Sequence, residues 1–281
     1  MKNILTFDIE EWFHANYCDI SSPDSCKDSN FRANMEKILE LCSDNNCKAT
    51  FFVLGCIGEN YRDIVRMISD EGHDVASHGY CHELAYNQTR EEFIEDVKKS
   101  VTILEDVIGK RVFGYRAPSW SIIERNLHYL EALEEIGLKY DASVFPVKTF
   151  LYGIPDACKT VHKPTIDGRE LELYEIPTSV FSIMGKNLGY SGGFYFRVLP
   201  YPFIKKFIER SNKGNIPAVV YLHPREIDKS EQRLKLPLKE SFIHYYNIKG
   251  THGKLEKTMK KFEFTSVRNF LEEQYKVNFL K

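Results

Sequence analysis

The sequence predicts an α/β fold, a (β/α) barrel of about seven strands that forms a single domain over residues 1–281. Three observations favour this fold. Short apolar segments alternate with amphipathic segments, as in parallel sheets whose strands are joined by helices. About seven such units fit into 281 residues, a usual size for one barrel domain. Chemically reactive side chains follow several of the predicted strands, where barrel enzymes place their active sites.

The first half of the chain alternates regularly between strand and helix patterns. Apolar and β-branched runs predict strands over residues 3–9, 48–54, 74–78, 112–118 and 138–143. Apolar residues at helical spacing predict helices over residues 32–45, 59–71, 89–108 and 124–135. Thr89 and Glu92 have the spacing of a capping box, and Gly72, Gly109 and Gly137 follow three of these helices as C-terminal caps.

The second half is less regular. Residues 144–195 form an ordered excursion rich in proline and glycine, in which 170–177 predicts a strand. Small turn-forming residues over 185–193 predict a loop whose backbone approaches another part of the chain. Further elements are a helix over 202–213, a strand over 216–223 and, from Lys254, a helix, a strand-like FEFTS and a final helix.

Composition excludes several classes of protein. Lys and Arg total 38 against 40 Asp and Glu, so the net charge of −2 argues against a dedicated nucleic-acid binder. A 43% apolar content supports a sizeable core and excludes disorder as the main state. No apolar run reaches the roughly 18 residues of a membrane span. Acidic residues interrupt the apolar N-terminus, which predicts a buried strand instead of a targeting segment and a cytoplasmic protein.

The cysteines predict free thiols. Their number is odd and none forms a C-x-x-C pair, so a disulfide framework and a structural zinc site are both disfavoured. The seven residues are Cys18, Cys26, Cys42, Cys47, Cys56, Cys81 and Cys158.

Two histidines and two carboxylates predict a metal site at the carboxyl ends of the strands. His78 and His82 are four residues apart, which on a helical turn places both imidazoles on one side. Asp8 and Glu10 are two apart on a strand and point the same way, whereas Glu11 points to the opposite face. One of the pair Asp8 and Glu10 would complete a site of three protein ligands, and the other would lie beside a bound water.

Two further residues suit acid–base chemistry. Arg116 lies in an apolar strand, where an unpaired charge is costly, so we expect it to pair with the base carboxylate and keep that group ionised. His223 ends the strand VVYL, and its ordinary pKa range suits a general acid for a leaving group.

The motifs TFDIE, ASHGYCH, RAPSW and YLH, in this order, resemble those of the polysaccharide deacetylases, carbohydrate esterase family 4 of the NodB-homology type. The stretches KATFFVLG, YDASVFP and FIHYYN are similar to a subgroup associated with exopolysaccharide and surface-glycan synthesis. The resemblance extends from Ile4 to about Leu271. It implies a distorted (β/α) barrel and a metal-dependent hydrolase that removes acetyl groups from N-acetylated sugars.

Carried over to this chain, the resemblance implies a role for each site residue. Asp8 matches the base, His78 and His82 the histidine ligands, Arg116 the arginine that orients the base, and His223 the acid.

The chain departs from the family pattern at four places. Ile9 stands where a second aspartate is usual, so Glu10 is assigned as the third ligand and Glu11 as its less favoured substitute. Gly79 replaces a hydroxyl residue, and Trp120 replaces a frequent tyrosine. The fourth motif is not matched, and Asp141 is a guess for the partner of His223.

The expected reaction uses one divalent metal ion, with zinc favoured and iron, cobalt, nickel or manganese as alternatives. Asp8 would take a proton from water, and a backbone N–H near Ser119 or Trp120 would help the metal stabilise the oxyanion. Trp12, Tyr80 and Trp120, together with Phe13 and Tyr195, are candidates for a sugar platform. The expected substrate is a nucleotide-linked, lipid-linked or oligosaccharide precursor.

Three other functions remain open from the sequence. A two-histidine, one-carboxylate iron oxygenase fits the ligands but needs neither Asp8 nor Arg116. The same fold could hydrolyse a cyclic or linear amide outside sugars. A glycan-binding module without catalysis is a third reading, disfavoured because acid, base, arginine and both histidines are all present. The oligomeric state cannot be read from the sequence.

Overall fold

The computed structural model describes residues 1–14, 30–149, 152–228 and 236–279. Its main sheet has seven parallel strands in the order β11-β1-β2-β3-β4-β5-β8, with β12 pairing to the start of β1. The sheet curves into a half-barrel surrounded by helices, which confirms the predicted (β/α) barrel fold of about seven strands. The strands are β1 Asn3–Ile9, β2 Thr50–Val53, β3 Asp74–Ser77, β4 Gly114–Tyr115, β5 Tyr140–Asp141, β6 Thr165–Ile166, β7 Arg169–Glu170, β8 Tyr174–Glu175, β9 Val180–Ile183, β10 Lys186–Gly189, β11 Val219–Leu222 and β12 Phe264–Thr265.

The helices cover the outside of the sheet. They are α1 Phe31–Asp44, α2 Gly55–Asn60, α3 Arg62–Asp70, α4 Arg90–Ile108, α5 Tyr129–Ile136, α6 Gly193–Val198, α7 Tyr201–Lys213, α8 Leu238–Tyr245, α9 Ile248–Lys261 and α10 Val267–Tyr275. None of the described helices is long and apolar enough to cross a membrane.

Both faces of the central strands are buried, because one faces the helices and the other the inside of the half-barrel. Successive residues of β2 alternate between the two sides: Phe51 joins the core beneath the outer helices, and Phe52 joins the interior cluster with Tyr140. This burial explains why β1 and β2 read as continuous apolar runs. The same parallel register brings the carboxyl ends of the strands to one rim.

Several predicted elements are confirmed closely. The capping box at Thr89 is present, with the Thr89 Oγ1 accepting from Glu92 N–H and Glu92 accepting from Thr89 N–H, and α4 ends at left-handed Gly109. The helix predicted over 202–213 is α7, and the strand predicted over 216–223 contains β11.

Other predicted boundaries are wrong. The single helix predicted over 59–71 is two helices, α2 and α3, because Tyr61 between them leaves helical geometry and sends its hydroxyl to Glu11. The strand predicted over 170–177 is divided between β7 and β8.

The glycine-rich segment 185–193 combines a strand with the predicted close approach. Residues 186–189 are β10, which pairs with β9 as an antiparallel hairpin. Gly192 gives the close approach, since a Cβ there would lie 2.3 Å from the carbonyl oxygen of Tyr221.

Candidate active site and metal centre

A buried ion pair joins the ends of β1 and β4. The Arg116 Nη1 donates to Asp8 Oδ1 at 2.6 Å and to Thr6 Oγ1 at 2.9 Å, and its Nε donates to the carbonyl oxygen of Ala142 at 3.1 Å. The guanidinium also lies over the Phe52 ring, 4.1 Å from its centroid. Because Arg116 is 0% exposed, it needs these partners to be buried at all, and in return it fixes the Asp8 carboxylate.

Glu10, His78 and His82 form a cluster whose ligand atoms all lie within 4.8 Å of one another. Glu10 Oε2 is 2.6 Å from His82 Nε2 and 3.9 Å from His78 Nε2. That oxygen is buried and has no partner in hydrogen-bond geometry among the described residues. A buried carboxylate oxygen that faces two imidazole nitrogens is the donor set of a divalent cation, so these residues fit the metal that the sequence implies.

The second nitrogen of His78 is also fixed. His78 Nδ1 is 2.8 Å from the carbonyl oxygen of Arg116, so this nitrogen carries the proton and Nε2 keeps its lone pair toward Glu10. Burial lowers the pKa of His78 to about 4, which favours the neutral imidazole that a metal ligand requires.

Asp8 and Glu10 point to one side of the strand and Glu11 to the other, as their spacing predicts. Asp8 and Glu10 both face the cavity at the end of the half-barrel. Glu11 points away and accepts from the Tyr61 hydroxyl at 2.9 Å.

The predicted helical turn between His78 and His82 is wrong. Gly79 and His82 have φ values of +78° and +63°, so the segment is a loop with left-handed residues. Asp96 of α4 holds this loop by accepting from the Tyr80 N–H at 3.0 Å. The loop still brings the two imidazoles together, by a route that residue spacing does not predict.

His223 follows β11 and has a buried acidic partner three residues later. Its Nδ1 is 2.9 Å from Glu226 Oε2, and its backbone N–H donates to the same oxygen at 3.1 Å. Arg197 of α6 donates from Nε to Glu226 Oε1 at 2.7 Å. The chain His223–Glu226–Arg197 leaves His223 Nε2 directed toward Asp8 and Glu10, at 3.9 and 3.6 Å.

The electrostatics of His223 suit a proton donor. Burial opposes the charged imidazole, but the Glu226, Glu10 and Asp8 carboxylates outweigh it and raise the pKa of His223 above its ordinary value. Burial likewise opposes the Glu226 carboxylate, but the charges of His223 and Arg197 hold the pKa of Glu226 well below its usual range.

Asp141 is not the partner of His223, so that prediction is wrong. Its carboxylate accepts from the Ser143 N–H at 2.9 Å and from the Ser143 hydroxyl at 2.6 Å. It lies opposite Glu175 on the neighbouring strand. Residue type alone suggested Asp141, whereas the local spacing H-P-R-E, with the acid three residues after the histidine, is the signal that identifies Glu226.

These groups open into a cavity of about 390 Å³ with largely aromatic walls. Part of its lining comes from the second half of the chain. The aromatic residues of the lining are Trp120, Tyr152, Phe194, Tyr195 and Tyr221. Trp120 is fixed by donating from Nε1 to Thr178 Oγ1 at 3.0 Å and by edge contact with Tyr221. The cavity can therefore pack a sugar ring against aromatic faces while the polar groups contact its substituents.

The structure does not bring all predicted platform residues to this cavity. Tyr80 lies outside it, with its hydroxyl on Glu59 and the Lys99 ammonium 3.3 Å from its ring centroid. Trp12 lies at a separate shallow pocket beside Phe31. The backbone N–H of Trp120 donates to the carbonyl oxygen of Ala117 at 3.1 Å, and an oxyanion donor near Ser119 stays a prediction.

The described cysteines are free thiols, as predicted: Cys42, Cys47, Cys56, Cys81 and Cys158. Cys18 and Cys26 lie outside the described residues.

Residues 4–140 match the family described as polysaccharide deacetylase. This range, just under half of the chain, is a polysaccharide deacetylase domain. Residues 142–272 match a family described only as a domain of unknown function, DUF3473. The deacetylase match therefore contains Asp8 and the Glu10–His78–His82 cluster, and the second match contains His223, Glu226 and Arg197.

A sequence relative agrees with this assignment, and solved structures agree with the fold. The chain is 30% identical to the peptidoglycan deacetylase of Helicobacter pylori over 177 residues, 58% of this chain and 59% of that protein. Its fold is similar to a polysaccharide deacetylase structure from Mycobacterium smegmatis, with a TM-score of 0.61 and 17% identity over 97% of this chain and 89% of the other. A carbohydrate esterase family 4 pseudoenzyme from Bacillus anthracis aligns with a TM-score of 0.51 and 15% identity, over 97% of this chain and 66% of the other.

Proposed function

We propose that this protein is a metal-dependent hydrolase that removes the acetyl group from an N-acetylated amino sugar in a glycan or glycan precursor. The observation that carries the proposal is the meeting of three groups at one cavity: the Glu10–His78–His82 cluster, the Asp8–Arg116 pair and the His223–Glu226 pair. Because a pseudoenzyme shares the fold, these groups support the activity and the fold alone does not.

The metal cluster supplies Lewis-acid chemistry. A divalent ion held by Glu10, His78 and His82 would polarise the acetamide carbonyl and activate water for attack. The donor set of two imidazoles and one carboxylate favours zinc in this proposal.

The chain's own residues move the protons. Arg116 orients the Asp8 carboxylate by donating to it, and Asp8 accepts a proton from the attacking water. His223 carries a proton on Nε2, because Glu226 raises its pKa and binds its Nδ1 side. It donates that proton to the departing sugar amine, which leaves acetate and a free amino group.

We also propose that residues 1–281 act as one catalytic unit. The base and the metal cluster lie in the first half of the chain, and the acid with its partners lies in the second. The aromatic walls around Tyr152 and Tyr195 support this, since neither half alone encloses the cavity.

Two measurements test the proposal. Acetate release is assayed on N-acetylated glucosamine oligosaccharides, peptidoglycan fragments and nucleotide- or lipid-linked precursors, with wild type and Asp8→Asn. Metal per chain is measured by elemental analysis for wild type, Glu10→Ala and Glu11→Ala after identical purification.

We expect about one ion per chain in wild type and in Glu11→Ala, and a loss of the ion in Glu10→Ala. Glu11→Ala is the matched control because this neighbouring acid faces Tyr61 instead of the cavity. Failure of wild type to take up any divalent ion, even when one is supplied, overturns the proposed mechanism.

A further inference from the structure

The β9–β10 hairpin leaves the outer part of its apolar face uncovered. Phe181, Ile183 and Leu188 share this face, because Phe181 pairs with Leu188 and strand residues two apart point the same way. At the base of the hairpin Phe181 stacks on Phe207 of α7, with 3.9 Å between ring centroids. Beyond that contact Ile183 is 51% and Leu188 46% exposed.

The exposed face continues around the turn and onto α7. Met184, at the tip of the hairpin, is 96% exposed, and Phe203, one helical turn before Phe207, is 53% exposed. We call Ile183, Met184, Leu188 and Phe203 the hairpin patch. Three of these exposed apolar side chains lie on the hairpin and the fourth on the neighbouring helix, and such side chains are more stable in an apolar phase than in water.

Positive charge surrounds this patch. Lys186 pairs with Ile183 across the hairpin and is exposed. On α7, Lys206 and Arg210 follow Phe203 at i+3 and i+7 and are exposed.

The carboxylates near the patch do not cancel this charge. Glu209 is engaged by Lys205 at 3.5 Å. Asp156 lies toward the other face of the hairpin, where Asn187 donates to the carbonyl oxygen of Pro155. On that face Lys159 donates to Ser182 Oγ at 2.9 Å and adds a further cation.

We propose that the hairpin patch docks this protein on an anionic membrane surface. Apolar side chains at the turn enter the boundary between headgroups and acyl chains, while Lys186, Lys206 and Arg210 contact anionic headgroups. A membrane fits better than a protein partner because Met184 at the turn is 96% exposed and three exposed cations, Lys186, Lys206 and Arg210, lie on the same two elements as the patch.

Docking would orient the cavity relative to the bilayer. The base of the hairpin lies beside the cavity wall, since Gly189 is packed against Tyr195 and Phe145. Strands of this length place the tip about 15 Å from that wall. If the proposed deacetylase activity holds, glycans carried at the membrane are the substrates that this arrangement favours, but the docking itself does not depend on that activity.

The test is co-sedimentation of the full chain with phosphatidylcholine vesicles that contain or lack phosphatidylglycerol, compared for wild type, Met184→Glu and Met67→Glu. Met67→Glu is the matched control, because Met67 is 37% exposed on α3 and outside the patch. We expect wild type and Met67→Glu to bind the anionic vesicles in low salt, and Met184→Glu to bind at least about tenfold more weakly. High salt should weaken the binding of wild type.

A second readout locates the contact. The fluorescence of Met184→Trp should shift to the blue on anionic vesicles and be quenched by brominated acyl chains. Acetate release from a soluble substrate should be equal in wild type and Met184→Glu, which separates this proposal from the proposed function. Equal vesicle binding by wild type and Met184→Glu, no binding by wild type, or self-association that Met184→Glu abolishes would each overturn the docking proposal.

Discussion

The Asp8 carboxylate is held in its direction by Arg116, which donates to it from Nη1. Arg116 also donates to the Thr6 hydroxyl and to the carbonyl oxygen of Ala142, and neither of these two contacts depends on the protonation of Asp8. A base of this kind can gain and lose a proton without moving, because its neighbour is anchored elsewhere.

The first prediction concerns this base. In Asp8→Asn the side chain keeps its shape but cannot accept a proton, so kcat should fall by about 10²-fold or more. The metal content should stay at the wild-type value, since Asp8 is not a member of the Glu10–His78–His82 cluster. Rates of acetate release and elemental analysis on the same preparation check this, and wild-type kcat in Asp8→Asn would show that another group is the base.

The second prediction concerns Glu226 as the positioning residue for His223. Glu226→Gln removes the negative charge that raises the pKa of His223 while keeping the shape of the side chain. The imidazole then loses its proton at lower pH, so the alkaline limb of the kcat/KM profile should move toward lower pH. Arg197 still bonds to the carbonyl oxygens of Ile243, His244 and Tyr246, which should preserve the fold.

The control for this profile is Glu172→Gln. Exposed Glu172 pairs with half-buried Lys163, away from the cavity, so this change should leave the alkaline limb where it is in wild type. An alkaline limb that does not move in Glu226→Gln would assign the titration to another group.

For single residues, the sequence predicts the site residues that lie at strand ends. It does not predict those that reach the site only through contacts between distant parts of the chain. Asp8 is the last residue but one of β1, and Arg116 and His223 follow β4 and β11, so their meeting at one rim is predictable from strand order. Arg197 is 26 residues before His223, and nothing local marks it as a partner of Glu226. The platform residue Tyr80 follows His78 closely in sequence, yet a left-handed loop turns it outward.

At the scale of elements, the position of β11 depends on a close contact between Gly192 and Tyr221 that leaves no room for a side chain on residue 192. A Cβ on Gly192 would lie 2.1 Å from Tyr221 Cδ1 and 2.3 Å from the Tyr221 carbonyl oxygen. Since backbone cannot yield as a side-chain tip can, α6 and β11 would have to separate. The displacement would reach His223, two residues beyond Tyr221.

The third prediction follows from this contact. Gly192→Ala should lower the free energy of unfolding by about 1–3 kcal/mol and reduce kcat. Gly253→Ala is the matched control, because Gly253 lies inside α9 with no atom within 4 Å of its Cβ position, and this change should be neutral or stabilise the protein by up to about 1 kcal/mol. Urea unfolding of both variants measures the difference, and equal stabilities would mean that the segment shifts without cost.

Element boundaries were predictable where local signals are strong. Thr89, Glu92 and Gly109 set the ends of α4 by capping chemistry that involves only neighbours in sequence. The break at Tyr61 and the division of 170–177 arise from contacts with distant residues, which periodicity does not encode. The pattern over 185–193 predicts a loop instead of β10, because glycines in and beside this strand hide its alternation.

At the scale of the whole molecule, the two matched regions share one site. The half-barrel runs from β11 to β8, so a strand of the second region lies directly beside β1. The chain between β8 and β11 connects these two edge strands. Val219 of β11 donates its N–H to Ser179 Oγ, and the Tyr221 N–H donates to the carbonyl oxygen of Ser191. One sheet therefore positions both the base and the acid, and a distortion of either region should change the geometry of the site.

The fourth prediction uses this architecture. A metal bound by Glu10, His78 and His82 joins the end of β1 to the loop after β3, and it binds the folded chain far better than the unfolded chain. At a free zinc concentration about 100 times its Kd it should add about 2.7 kcal/mol of stability. For a chain of this length, that corresponds to a rise in Tm of roughly 5 °C.

The rise should disappear in His82→Ala, because the ligand set is then incomplete. It should persist in His252→Ala, which removes a histidine of α9 that lies outside the cluster and so controls for adventitious zinc binding. Thermal unfolding of the three proteins with zinc and with a chelator measures this without any substrate. An equal rise in wild type and His82→Ala would place the zinc elsewhere, and the stabilisation would then have no connection with the rim that the two regions share.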